Sequence, residues 1–182
     1  MPLVGGGTFT LGKSAPKNFS MVVFYRGLHC PVCKAYLGGL EKILTQYKER
    51  GIAVVAVSMD SDAKAAQSKS EWGLPNLALG YGIDEKTARA WGLYLSKSIR
   101  EGEPGVFNEP GLFLVRPDGN VFFAAIANKY GDFRVMRYRS RKNLHLNNQW
   151  LVPAGPYEGH QSVWTNAGAG GLNEWMKIHQ RG

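Results

Sequence analysis

An α/β fold, with a central mixed sheet flanked by helices, is what this sequence predicts, and three observations predict it. An apolar, β-rich run over residues 19–25, an amphipathic stretch over 31–48 and a second apolar run over 52–58 make a β-α-β unit. The second run, Ile52-Ala53-Val54-Val55-Ala56-Val57-Ser58, is nearly continuous in β-branched and small apolar residues, the pattern of a strand buried on both faces in a parallel sheet. Further on, Leu112-Phe113-Leu114-Val115 and Val121-Phe122-Phe123-Ala124-Ala125-Ile126 flank Arg116-Pro117-Asp118-Gly119-Asn120, whose Pro-Asp-Gly predicts the turn of an antiparallel hairpin.

The elements follow in order. After a Gly-rich start expected to be irregular, the first strand covers 19–25. Leu37, Leu40, Ile43, Leu44 and Tyr47 recur at spacings of three and four, so the helix over 31–48 has one apolar face, and Gly51 closes it. Ser61 and Asp62 open a second helix that runs through Ala63, Ala65, Ala66 and Gln67 to Trp72. A short third strand is expected at 77–79. Asp84 and Glu85 start a short helix ending near Trp91, and 96–108, rich in Gly, Glu and Ser, reads as a loop.

Length and composition bound the function. A chain of 182 residues with 44% hydrophobic and 12% aromatic content can build one real core and is not disordered as a whole. No apolar run reaches the length of a membrane span, and Met1-Pro2-Leu3-Val4-Gly5-Gly6-Gly7 lacks a charged segment followed by an apolar one. A cytoplasmic protein with resting thiols mostly reduced, and no membrane partner, is the expectation. The +8 formal charge is concentrated: from Lys129 onward, eight Lys and Arg face Asp132, Glu158 and Glu174, so +5 of it lies there. Arg134, Arg137, Tyr138, Arg139, Arg141 and Lys142 could form a phosphate-binding stripe for nucleic acid. Without a recognisable nucleic-acid motif, a solvated basic segment is the plainer account.

The only two cysteines stand in Cys30-Pro31-Val32-Cys33, where the first strand hands over to the first helix. Such a C-x-x-C reads as a redox site. Pro31 suits the first helical position, which puts Cys30 at the N-cap, where unpaired N–H groups and the positive end of the helix dipole favour an anion. Arg26 and His29 are close enough in sequence to add to that field, and cysteines in this setting reach a pKa of roughly 7 or below. Cys33, one turn on, can close a small disulfide ring with Cys30, so the pair can carry two electrons with no bound cofactor. Cys30 is expected to be the more exposed and the more acidic thiol.

Three plainer readings compete. Free cysteines are often buried core residues, but a thiol just before a helix-initiating proline is poorly placed for packing. Zinc needs two more ligands, and His145, His160 and His179 show no H-x3-5-H spacing, so no metal is expected. A purely structural disulfide over so short a loop would constrain little unfolded-chain entropy.

The segment Phe24-Tyr25-Arg26-Gly27-Leu28-His29-Cys30-Pro31-Val32-Cys33, with Gly5-Gly6-Gly7-Thr8, Trp72-Gly73-Leu74, Ala90-Trp91-Gly92-Leu93-Tyr94 and 109–119, resembles the bacterial peroxiredoxin-like branch of the alkyl hydroperoxide reductase and thiol-specific antioxidant superfamily. The resemblance covers roughly residues 3–127 and implies a thioredoxin-like fold there, with 128–182 a basic C-terminal extension atypical of the family. Ordinary members carry P-x-x-x-T-x-x-C. Here Cys33 falls on the peroxidatic position, Cys30 on the Thr position and Arg26 on the Pro position, and Pro110 stands about where the family's later arginine would be. Pro110 instead matches the residue that thioredoxins hold as a cis-proline opposite the C-x-x-C, which implies a cis Glu109–Pro110 bond facing Cys30.

These motifs imply a thiol-based oxidoreductase that reduces disulfides or hydroperoxides and is restored by an external thiol reductant. In disulfide exchange Cys30 attacks and Cys33 resolves; in peroxide reduction Cys33 attacks and Cys30 condenses with its sulfenic acid. The missing Thr and Arg place disulfide exchange first. The alternative is a binding module whose basic tail docks nucleic acid or an acidic partner under redox control.

Overall fold

The computed structural model describes residues 1–11, 18–99 and 101–127. The basic cluster from Arg134 to Lys142, the extension expected over 128–182 and the tail-docking alternative lie outside the described residues. Elements run β1 (Phe19–Phe24), α1 (Pro31–Glu49), β2 (Ile52–Val57), α2 (Asp62–Glu71), β3 (Ala78–Gly80), α3 (Glu85–Ala90), β4 (Leu95–Lys97), β5 (Val106–Asn108), β6 (Gly111–Val115) and β7 (Val121–Ile126).

Five strands form one sheet in the order β3-β2-β1-β6-β7. The pairs β1–β2 and β2–β3 are parallel, while β1–β6 and β6–β7 are antiparallel, so the sheet is mixed as the sequence predicts. The central strand β1 is buried on both faces, and its side chains alternate between two cores. Met21 and Val23, with the following Tyr25, join Leu37 and Leu40 of α1 and Ala56, Leu112 and Leu114 of the sheet. Val22 and Phe24 join Val55, Val57, Phe113, Val115 and Leu93 on the other side. Each large apolar side chain so enclosed contributes about 1.5–3 kcal/mol over its exposed state.

Local chemistry sets the helix ends. Ser61 accepts from the Lys64 N–H and Asp84 from the Thr87 N–H at 2.7 Å, satisfying donors that the first turns of α2 and α3 leave open. Gly51 leaves α1 at φ +66°, a left-handed turn that suits glycine. Glu41 of α1 accepts from the backbone N–H groups of Asn76 and Leu77, tying the helix to the entry of β3.

Two expectations change here. The segment 96–108 is not a plain loop: β4 and β5 pair antiparallel, with Leu95 opposite Asn108, as a separate two-stranded ribbon. Three-residue strands show no periodicity of their own, and their pairing is fixed by packing rather than by local sequence. The Gly-rich start is also anchored. Leu3 bridges Gly80, and the Val4 N–H donates to the Leu79 carbonyl at 2.9 Å, so the segment lies along the outer strand.

Candidate active site

The site is built at the end of β1. The Tyr25 N–H still donates to the Val57 carbonyl at 3.0 Å, continuing the sheet for one residue, and then the chain turns through Gly27 at φ +123°. A β-carbon there would stand 2.8 Å from both carboxylate oxygens of Asp60, so only glycine fits. Asp60, buried just beyond β2, accepts from the Leu28 N–H at 2.7 Å, and the Cys30 N–H donates to the Gly27 carbonyl at 3.1 Å. Burial raises the Asp60 carboxyl above its ordinary range, partly offset by the Leu28 bond. These contacts deliver Cys30 to the N-cap of α1 in an extended conformation, with Pro31 as the first helical residue.

Cys30 Sγ accepts from the Cys33 N–H at 3.2 Å, the N-cap bond usually made by a side-chain oxygen. The Cys30 thiol is lowered to about 7: the Cys33 thiol's hydrogen bond is the largest cause, burial opposes it, and the Cys33 N–H and the Arg26 guanidinium add to the lowering. Cys33 moves the opposite way, held up by its bond to Cys30, by burial and by the Cys30 charge. The two cysteines are free, and the opposite shifts make Cys30 the more acidic of the pair.

Arg26 is buried. Its guanidinium carbon lies 4.5 Å from the centre of the Phe107 ring, and its Nε is 3.4 Å from Glu109 Oε2, a charge contact off the hydrogen-bond line. Glu109 Oε1 accepts from the Ser96 hydroxyl at 2.6 Å. Asn108, also buried, donates to the carbonyls of Tyr25 and Glu109 and accepts from the Met59 N–H, fastening the ends of β1 and β2 to the start of β6. The ribbon β4–β5 thus supplies Phe107 and adjoins Glu109, both in contact with Arg26.

Three expectations about this site are corrected. Cys30 is not an exposed thiol: both cysteines are buried, at 2% and 6% exposure, because the N-cap position tucks the Cys30 sulfur against the helix. His29 adds no positive charge. Burial and the neighbouring Arg26 lower its pKa, leaving a neutral ring at 4.7 Å from Phe107. No cis peptide bond occurs among the described residues: Glu109–Pro110 is trans, and Pro110 is buried as the residue entering β6, whose Gly111 pairs with Phe24. An ordinary X–Pro trans preference, with the Ala127 N–H donating to the Pro110 carbonyl, accounts for it. Of the residues the sequence singled out, Cys30, Cys33, Arg26, His29 and Pro31 come together. Asp60, Asn108 and Glu109 were not foreseen; their one sequence signal is polarity beside apolar strands, which cannot distinguish a buried partner from a loop.

Among the described residues there is no group of three or more His, Cys, Asp or Glu placed to hold a metal, and no helix long and apolar enough to cross a membrane. The AhpC/TSA family profile matches residues 1–124. The chain belongs to the AhpC/TSA family. With that membership it is a thiol-based oxidoreductase of the peroxiredoxin-like kind, in which the usual T-x-x-C is replaced by C-x-x-C. Comparison with curated proteins finds no match.

Among solved structures, peroxidoxin BcpB from Mycobacterium tuberculosis superposes with a TM-score of 0.57 at 16% identity, over 68% of this chain and 77% of that one. Peroxiredoxin Q of Xanthomonas campestris superposes with a TM-score of 0.56 at 25% identity, over 68% and 78%. The bacterioferritin comigratory protein of the same organism, studied for its alkyl peroxide reduction, gives 0.56 at 24%, over 68% and 78%. The thioredoxin-like architecture of the AhpC/TSA family is thus the architecture of this sheet.

Proposed function

We propose that this protein reduces hydroperoxides with Cys30 as the attacking thiolate and Cys33 as the resolving thiol. The observation that carries the reading is the N-cap geometry: Cys30 Sγ accepts the Cys33 N–H at 3.2 Å and its acidity is brought to about 7, while that of Cys33 is pushed the other way. A thiol that titrates near neutral pH has both a large thiolate fraction and undiminished nucleophilicity. This assignment exchanges the roles that the family motif implies for the two positions.

The chemistry closes within the pair. The Cys30 thiolate attacks the outer oxygen of the hydroperoxide; the O–O bond breaks, the departing alkoxide takes up a proton, and Cys30 becomes a sulfenic acid. Cys33 sulfur then attacks Cys30 sulfur and gives up its proton, water leaves, and a disulfide forms. Two electrons and two protons from an external thiol reductant restore both thiols. A hydroperoxide is favoured over a protein disulfide as the oxidant because Cys30 is only 2% exposed, which obstructs a folded partner more than a small molecule. Peroxiredoxin Q, to which the chain is similar, is named for the same chemistry.

Stopped-flow mixing with hydrogen peroxide and with an alkyl hydroperoxide tests the proposal. The wild type should oxidise far faster than free cysteine, Cys30→Ser should not react, and Cys33→Ser should consume one equivalent and leave a sulfenic acid at residue 30 that dimedone traps. A sulfenic acid found on Cys33 in the Cys30→Ser variant would overturn the assignment. So would insulin-disulfide reduction outpacing a peroxide reaction no faster than that of free thiols.

A further inference from the structure

Arg26 faces two anions. One is the Cys30 sulfur, whose acidity its guanidinium promotes; the other is the carboxylate of Glu109, 3.4 Å from Nε. Glu109 is buried on the approach to β6 and is held from behind by the Ser96 hydroxyl at 2.6 Å, so its carboxylate is fixed beside Arg26. Phe107 fixes the guanidinium from another side at 4.5 Å. A buried cation beside a thiol that can lose its charge needs a counter-ion that stays charged, and Glu109 is placed as one.

We propose that Glu109 is a positioning residue that divides the charge of Arg26 between its own carboxylate and the Cys30 sulfur, keeping the Cys30/Cys33 pair nucleophilic and reducing. The proposal rests on Cys30 being the attacking thiol, as argued above. In the reduced state Arg26 serves both anions. On oxidation the Cys30 charge disappears, and Glu109 remains in contact with Arg26. Without it, more of the Arg26 field would fall on the Cys30 thiolate. The reduced form would be selectively stabilised, and the pair would become a stronger oxidant with a weaker nucleophile.

The charged and titratable groups around this sulfur come from every neighbouring element. Arg26 and His29 lie on the loop from β1, Cys33 on α1, Asp60 beyond β2, and Glu109 before β6; Tyr25 and Tyr36 stand on the Cys33 side. Burial lowers His29 and pushes both tyrosines up, so none of the three adds a charge near neutral pH, and the carboxyl groups near the sulfur are those of Asp60 and Glu109. Of the two carboxylates, Glu109 is the one in contact with Arg26.

The test is the pH dependence of Cys30 alkylation by iodoacetamide, together with the equilibrium of the Cys30/Cys33 disulfide against glutathione, in full-length wild type, Glu109→Gln and Glu109→Asp. Glu109→Gln should move the alkylation midpoint down by about one pH unit and shift the glutathione equilibrium about tenfold toward the reduced protein, or about 30 mV. Glu109→Asp keeps the charge at shorter reach and should recover at least half of both shifts; a steric role alone would leave it as perturbed as Gln. If Glu109→Gln does not fold, the direction of the smaller Asp shift decides. A midpoint that is unchanged or higher in the folded variants overturns the proposal while leaving the Cys30 assignment intact. Low-pH alkylation on Cys33 in the wild type would instead remove the assignment itself.

Discussion

One face of the central sheet packs beneath α1 and α2 and carries both cysteines; the other packs against α3 and Leu93 and carries neither. The first core is aliphatic around Leu37, Leu40, Leu112 and Leu114, with Tyr25 and Trp72 at its edge. The second is centred on three rings, Phe24, Trp91 and Phe113, whose centroids lie 4.8 to 5.6 Å apart in tilted and edge-on contacts. Successive residues of β1 feed the two cores alternately, so the strand that presents the thiol loop is gripped from both sides. The difference teaches that rigidity and reactivity are supplied separately here. The aromatic face holds β1 and β6 in register, and that register brings Asn108 and Glu109 to Tyr25 and Arg26.

The sharpest way to break this division is through the aromatic face. Phe113→Ala removes a ring that touches both Phe24 and Trp91 and should cost about 3–5 kcal/mol in urea or thermal unfolding. Below its transition the variant should keep the wild-type midpoint for Cys30 alkylation; a shifted midpoint would mean that the two faces are coupled. Gly27→Ala strikes the boundary between them. Positive φ and the approach of Asp60 should cost about 2 kcal/mol of stability, and Cys30 reactivity should fall as the loop loses its Leu28–Asp60 bond.

Smaller effects lie on the thiol side. Because Arg26 favours the anion, Arg26→Gln should raise the Cys30 midpoint by about one unit above its position near 7. In the wild type the alkylation rate should therefore climb through pH 7 and level off above about pH 8, whereas in Arg26→Gln at pH 7 it should be severalfold slower. Equal profiles would remove Arg26 from the electrostatics. His29→Gln should leave the profile in place, since the histidine is already uncharged at neutral pH; a shifted midpoint would show that its ring carries charge after all.

Much of this was legible in the sequence because it is written in short-range patterns. The spacing of Leu37, Leu40 and Tyr47 names the buried face of α1, the β-branched run names β2, and Pro117-Asp118-Gly119 names the turn before β7. Cys30 and Cys33 needed only their position at a helix start. Strands β4 and β5 were hidden because their pairing depends on the far partner rather than on local periodicity. Asp60, Asn108 and Glu109 were hidden for the same reason: Asn108 meets Tyr25 across 83 residues of chain, and nothing near either residue announces the other. The buried state of Cys30 followed from its N-cap bond, which spacing alone does not orient.

That long separation also sets a sequence in time. β1, α1 and β2 are consecutive and can pair while the chain is being made, so the two cysteines acquire their helix early. Asn108 and Glu109 emerge far later and must close a large loop before they reach Tyr25 and Arg26, the slow kind of contact in a fold of non-local pairs. A nascent chain therefore displays its thiols before their full electrostatic setting exists, and the complete site is reserved for molecules that have finished folding.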